Sequence, residues 1–150
     1  MRRPKLKDSL YGEMYWEDWD EFENYWFAKI DNIPNESFEL LINAASQADF
    51  LAVRGTHPTY KNLIGNIASI RGQMVRDILE KSRHLFKNER QRKSVGEKIT
   101  QTLHLFCIKI FQDLSAEMQF TESDLETSEE VFYALIDNEG NLTEAGIRKP

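Results

Sequence analysis

The chain has 150 residues, of which 41% are hydrophobic and 29% charged, and a formal net charge of −6. That length suffices to bury a core, and three Trp, nine Phe and five Tyr exclude a disordered, charge-dominated chain. The single cysteine, Cys107, excludes an intramolecular disulfide and reads as a small buried hydrophobe. The basic start Met1–Lys7 is followed by no apolar stretch of signal-peptide or membrane-spanning length, so the expectation is a soluble, cytoplasmic protein with no membrane association.

The charge is segregated. Asp8 to Glu39 holds ten acids and one base, Arg54 to Lys109 twelve bases and four acids, and Asp113 to Glu144 ten acids and no base. Residues 1–8 read as a flexible basic arm and 121–150 as an acidic C-terminal appendage on one domain spanning 1–150.

Tyr11, Tyr15, Trp19, Phe22, Trp26 and Ile30 recur every three or four residues, which predicts a first helix over Ser9–Ile30 with Ser9 as its N-cap. Trp16, Tyr25 and Phe27 lie off that stripe, which makes them candidate anchors for a protein partner. Asn32-Ile33-Pro34-Asn35 ends the helix. A second helix is predicted over Glu36–Val53 through Phe38, Leu41, Ile42 and Ala45, ending at Arg54-Gly55-Thr56-His57-Pro58, where His57 reads as a loop residue. From Thr59 to about Glu89 the stripe Leu63, Ile67, Ile70, Met74, Ile78 predicts a third helix, with Gly65 and Gly72 inside it. Ser94-Val95-Gly96-Glu97 has capping-box spacing and predicts a fourth, reaching Met118 through Ile99, Leu103, Phe106, Ile110 and Leu114. A short fifth helix opens at Thr121-Glu122-Ser123-Asp124. Val131–Ile136 followed by turn chemistry at Asp137–Asn141 fits a short helix or a hairpin, with the helix favoured. The expected fold is therefore all-α, a single-domain bundle of four to five helices, with the C-terminal 25 residues unassigned between those two forms.

Catalytic and metal chemistry find little support. His84 and His104 lack the acid three residues before them that a di-iron bundle uses, no cysteine pair exists for zinc, and 137–141 does not match a calcium loop. No glycine-rich phosphate loop is present. Neither Arg54 with His57 nor Arg76 with His84 has the spacing of a helical ribonuclease pair. No enzyme activity, cofactor or metal is expected.

The bases Arg71, Arg76, Arg83, Lys87, Arg90, Arg92 and Lys93 cross the end of the third helix and the start of the fourth, and are candidates for binding a phosphate backbone. The competing reading is that they neutralise the acidic ends of the same molecule. Ile67-Ala68-Ser69-Ile70-Arg71-Gly72-Gln73-Met74-Val75, with Thr102-Leu103-His104-Leu105-Phe106-Cys107, resembles the small helical subunit of type III CRISPR effector complexes. The resemblance covers the middle third of the chain. It implies an all-helical, non-catalytic RNA-contacting subunit and points to Arg71.

Three functions are consistent with these features. The first is a non-enzymatic helical interaction protein, a subunit or adaptor with a protein partner. The second is a nucleic-acid-associated small subunit using the basic region. The third is an acidic phage-type inhibitor or nucleic-acid mimic presenting Glu13, Glu17, Asp18, Asp20, Glu21 and Glu23. Self-association is left open.

Overall fold

The computed structural model describes residues 4–18, 24–122 and 130–148. It overturns the all-α expectation: the fold is an eight-stranded mixed sheet with a layer of helices on one face. The strands are β1 (Lys5–Asp8), β2 (Gly12–Asp18), β3 (Asn24–Ile33), β4 (Glu36–Asn43), β5 (Leu103–Ile110), β6 (Ala116–Glu122), β7 (Val131–Ile136) and β8 (Leu142–Arg148). They lie side by side in chain order. Each neighbouring pair is antiparallel except β4 and β5, which run parallel in the register Glu39↔Cys107 to Ile42↔Ile110. A parallel pair needs a long crossover. Here it contains α1 (Phe50–Gly55), α2 (His57–Gly65), α3 (Ile67–Lys81), a 3₁₀ turn (Arg83–Leu85) and α4 (Glu89–Thr102).

The reason for strands rather than helices is in the residue types. The four-residue spacing of Trp26–Ile30 is even, so it also places side chains on one face of a strand, whereas Tyr11 lies in the turn before β2 and packs with the helices, across the sheet from Tyr15. Tyr, Trp, Phe and Ile fill a pleated surface well, and the burial alternates with period two: Met14 and Trp16 on β2, Trp26, Ala28 and Ile30 on β3, Phe38, Leu40 and Ile42 on β4 all face the helices. Pro34 and Asn35 form the β3–β4 hairpin turn instead of ending a helix, with Asn35 in the left-handed region at φ 65°.

The predicted second helix is thus β4 followed by the short α1, capped by Asp49 Oδ1 accepting from Ala52 N at 3.1 Å. His57 opens α2 rather than lying in a loop. The third predicted helix survives as α2 and α3, divided at Asn66. The fourth begins five residues earlier than its capping box, at Glu89, because Asn88 Oδ1 accepts from Gln91 N at 2.8 Å. It stops at Thr102. Leu103–Ile110 then alternates as β5, which contradicts the all-helical subunit that this stretch resembles. The C-terminal stretch forms the β7–β8 hairpin, its turn held by Asp137 Oδ1, which accepts from Glu139 N and Asn141 N. Phe132, Ala134 and Ile136 are buried, so this hairpin is part of the sheet core and no loose appendage. The 1–8 segment contributes β1, paired to β2; Met1, Arg2 and Arg3 lie outside the described residues, as do Trp19, Phe22, Ser123 and Asp124.

The main core lies between sheet and helices. Met74, Val75, Ile70 and Leu63 from the helices meet Leu40, Ile42, Leu105, Ile108, Met118 and Phe120 from the sheet. Burying each such side chain contributes roughly 1.5–3 kcal/mol against exposure. Arg71 lies within this layer, its Nη2 3.0 Å from Glu36 Oε1 and its guanidinium 5.5 Å from the Phe120 ring. Lys81 Nζ at the end of α3 donates to the Ala145 carbonyl at 2.9 Å, occupying an acceptor on the edge strand β8.

Candidate functional site

Two surfaces carry chemistry beyond the fold. The first is the sheet face turned away from the helices. A second, separate apolar cluster sits there, built from Tyr25, Leu41 and Cys107 with Phe27 and Phe106 packed on it, and it includes no helical residue. A bulge in β5 places Phe106 and Cys107 together opposite Gln119, so both reach this face. Strand register lines up Tyr15, Phe27, Leu41, Lys109, Glu117 and Leu135 across six strands.

At the β6–β8 side of this face Glu117 is only 5% exposed. Arg148 reaches over from β8, its Nη2 2.7 Å from Glu117 Oε1 and its guanidinium 4.1 Å from the Tyr133 ring centroid. Gln119 also donates to Glu117. Burial alone would raise the Glu117 carboxyl, but the bonds from Arg148 and Gln119, aided by the charges of Arg148 and Lys109, outweigh it and hold the carboxyl below its ordinary value. The same contacts raise Arg148, first through its bond to Glu117. Cys107 goes the other way: burial pushes its thiol up to about 12, so at neutral pH it is protonated and a poor nucleophile. Lys109 lies 5.9 Å from the Tyr25 ring centroid.

The second surface is a groove of about 800 Å³ between α3 and α4. Val75 and Leu79 lie at its base, and Gly72 on α3 and Gly96 on α4 also line it. At Gly96 the helices almost touch: a Cβ there would lie 2.9 Å from Leu79 Cδ1. Arg76, Arg90, Arg92 and Lys93 line the groove. Arg92 is neutralised by Glu80 at 2.7 Å and Glu89 at 2.8 Å. Among the described residues, Arg76, Arg90 and Lys93 form no ion pair.

The sequence-nominated residues therefore divide. Of the seven bases, Arg76, Arg90, Arg92 and Lys93 converge on the groove, because the two helices that carry them do form. Arg83 projects nearby, 3.3 Å from Glu80, and Lys87 lies in the turn before α4. Arg71 does not join them, since it lies between α3 and the sheet, and among the described residues it is the only one of the seven that pairs with the acidic start of the chain. Of the aromatic candidates, Tyr25 is 2% exposed and Phe27 half-buried on the bare sheet face. Trp16 is on the opposite side, edge-on to Trp26 in the main core. The acids proposed as one helical stripe fall on strands instead: Glu13 and Glu17 share a face of β2 and Asp18 takes the other, while Asp20, Glu21 and Glu23 lie outside the described residues.

Glu117, Tyr133, Leu135 and Arg148 were not nominated from the sequence. Only strand register brings them together, and no local spacing signals it. Among the described residues no three His, Cys, Asp or Glu side chains gather as a metal would need, and no helix is long and apolar enough to cross a membrane. No protein-family model, curated protein or solved structure matches the chain.

Proposed function

We propose that this chain is a non-enzymatic interaction protein that docks a protein partner on the bare face of its sheet. One observation carries this reading. Phe27 and Phe106 are half-buried around the buried Tyr25–Leu41–Cys107 centre, and Tyr133 and Leu135 are half-buried beyond Gln119 and Glu117 on the same face, which no helix among the described residues covers. Half-buried apolar side chains of this kind are what a partner removes from water, and aromatic side chains with an arginine at the margin concentrate binding energy. The Glu117–Arg148 pair is already formed in the free chain, so little ordering is left for association.

The test compares complexes formed by the native protein, Phe27→Glu and Leu135→Glu, each checked for an unchanged thermal melt. A stoichiometric protein partner is expected with the native chain and with the helix-layer control Lys61→Gln, and lost with both face variants. A partner held equally by the folded face variants sinks the proposal.

A further inference from the structure

We propose that the groove between α3 and α4 binds an acidic amphipathic peptide segment, with an apolar ridge seated on Val75 and Leu79 and carboxylates facing Arg76, Arg90 and Lys93. This site is on the helix layer and is independent of the bare sheet face.

Charge complementarity identifies the occupant. The groove lining holds four cations and three carboxylates. Two of the carboxylates, Glu80 and Glu89, are taken by Arg92. That leaves Arg76, Arg90 and Lys93 against Glu97 alone among the described residues, around an opening with an apolar floor. These three cations are exposed and already free of ion pairs among the described residues, so an approaching carboxylate breaks no bond to reach them, and the attraction weakens as salt rises. At about 800 Å³ the opening is far larger than a single ion needs and matches a seat for side chains along a peptide. Val75 and Leu79 are 2% and 8% exposed, so they open to an occupant only as α4 moves outward, and an apolar ridge, which a nucleic acid lacks, is what then covers them.

The helices also have the freedom to admit it. No residue of α4 is buried, and its hold on the core comes through the partly buried Val95 and Ile99 and the close approach at Gly96. Such a helix can shift outward at small cost. At Gly72, by contrast, an added Cβ would meet only the Arg76 guanidinium at 3.6 Å, so the position can carry a larger side chain that projects into the opening.

The experiment titrates the full chain with three fluorescent probes: an amphipathic helical peptide with leucines on one face and glutamates flanking them, the same peptide with lysines in place of the glutamates, and a polyuridine oligonucleotide. The glutamate peptide is expected to bind saturably and the lysine peptide not to bind. Gly72→Leu fills the seat and keeps all cations, and should weaken the glutamate peptide about tenfold or more. The double variant Arg90→Gln/Lys93→Gln keeps the seat and should weaken it by a similar factor. Thermal melts confirm that each variant is folded. The proposal is overturned if the glutamate peptide fails to bind, or if its affinity survives Gly72→Leu. It is equally overturned if the oligonucleotide binds more tightly than the peptide, with steep salt dependence and no response to Gly72→Leu, because the cations would then form a phosphate-binding strip.

Discussion

Arg148 on the edge strand β8 crosses the ring of Tyr133 on β7 to reach Glu117 on β6, so one ion pair ties three strands together. Glu117 is the buried partner and Arg148 is half exposed, with side-chain exposures of 6% and 49%. Removing the arginine leaves a buried carboxylate with only Gln119 and Lys109 nearby. Arg148→Met should destabilise by about 1–3 kcal/mol, at the low end for the exposed arginine's own loss and at the high end for the stranded acid. Adding Glu117→Gln to Arg148→Met should recover part of that loss. Chemical denaturation of the single and double variants checks both, and additive losses would contradict the pairing.

The pair also sets an acid limit. Folding lowers the Glu117 carboxyl below its unfolded value, so the unfolded chain takes up the proton first as the pH falls. The stability it contributes is complete above the unfolded value, about 4.3, and drains away as the pH falls from there through the folded value. Native unfolding free energy should drop over that acid range. In Glu117→Gln the drop should be shallower, and identical slopes would rule the pair out as its source.

Gly146 lies under the same ring. A Cβ there would sit 2.6 Å from the Tyr133 hydroxyl and 2.8 Å from Cζ. Gly146→Ala should force the ring off its seat beneath Arg148 and destabilise by roughly 1–3 kcal/mol. In a Tyr133→Ser background the same change should cost much less. Equal costs in the two backgrounds would show that the ring is not the obstacle.

Asp8 ties the first hairpin to the helix layer. Its Oδ2 accepts from Leu10 N and Tyr11 N, both at 2.9 Å, and lies 2.9 Å from His57 Nε2 on α2. Thr56 Oγ1 donates to the Val53 carbonyl, so the Tyr11 hydroxyl is the donor in the 2.7 Å bond between them. Asp8→Ala removes all three acceptor contacts and should cost about 2–3 kcal/mol, whereas Tyr11→Phe should cost about 1. Differential scanning calorimetry on the two variants checks the ranking, and a larger loss in Tyr11→Phe would reverse the argument.

Cys107 should resist modification in the folded protein. Its thiol is buried and pushed up to about 12, so a disulfide reagent near pH 8 finds almost no thiolate. One equivalent should react only after denaturant is added. Prompt reaction in buffer would show that the bare face opens readily at its centre.

Helical patterning was legible where the apolar spacing mixed threes and fours, as in Ile67, Ile70, Met74 and Ile78. It misled where the spacing was four, because four is a multiple of the strand period. Trp26–Ile30 fits both, and its aromatic and β-branched character decides for the sheet. The β5–β6 region misled for a second reason: the bulge at Phe106 shifts the alternation by one residue, so Leu105 and Ile108 share a face at helical spacing. The turns at Pro34-Asn35 and Asp137–Asn141 lie in residues with local turn chemistry. Convergence of Arg76, Arg90 and Lys93 was legible because their helices are local too. The bare face was not, since Glu117 and Arg148 meet only through the pairing of three strands.

Among the described residues, all four α-helices enter between β4 and β5, the only parallel pair. Each four-stranded half pairs strands that are neighbours in the chain, but joining the halves means closing the whole 44–102 stretch into a loop. Until that happens β4 and β5 are the raw margins of two half-sheets, each offering a full row of backbone donors and acceptors. The slow event in folding is therefore also the interval in which two chains can zip to each other instead of to themselves.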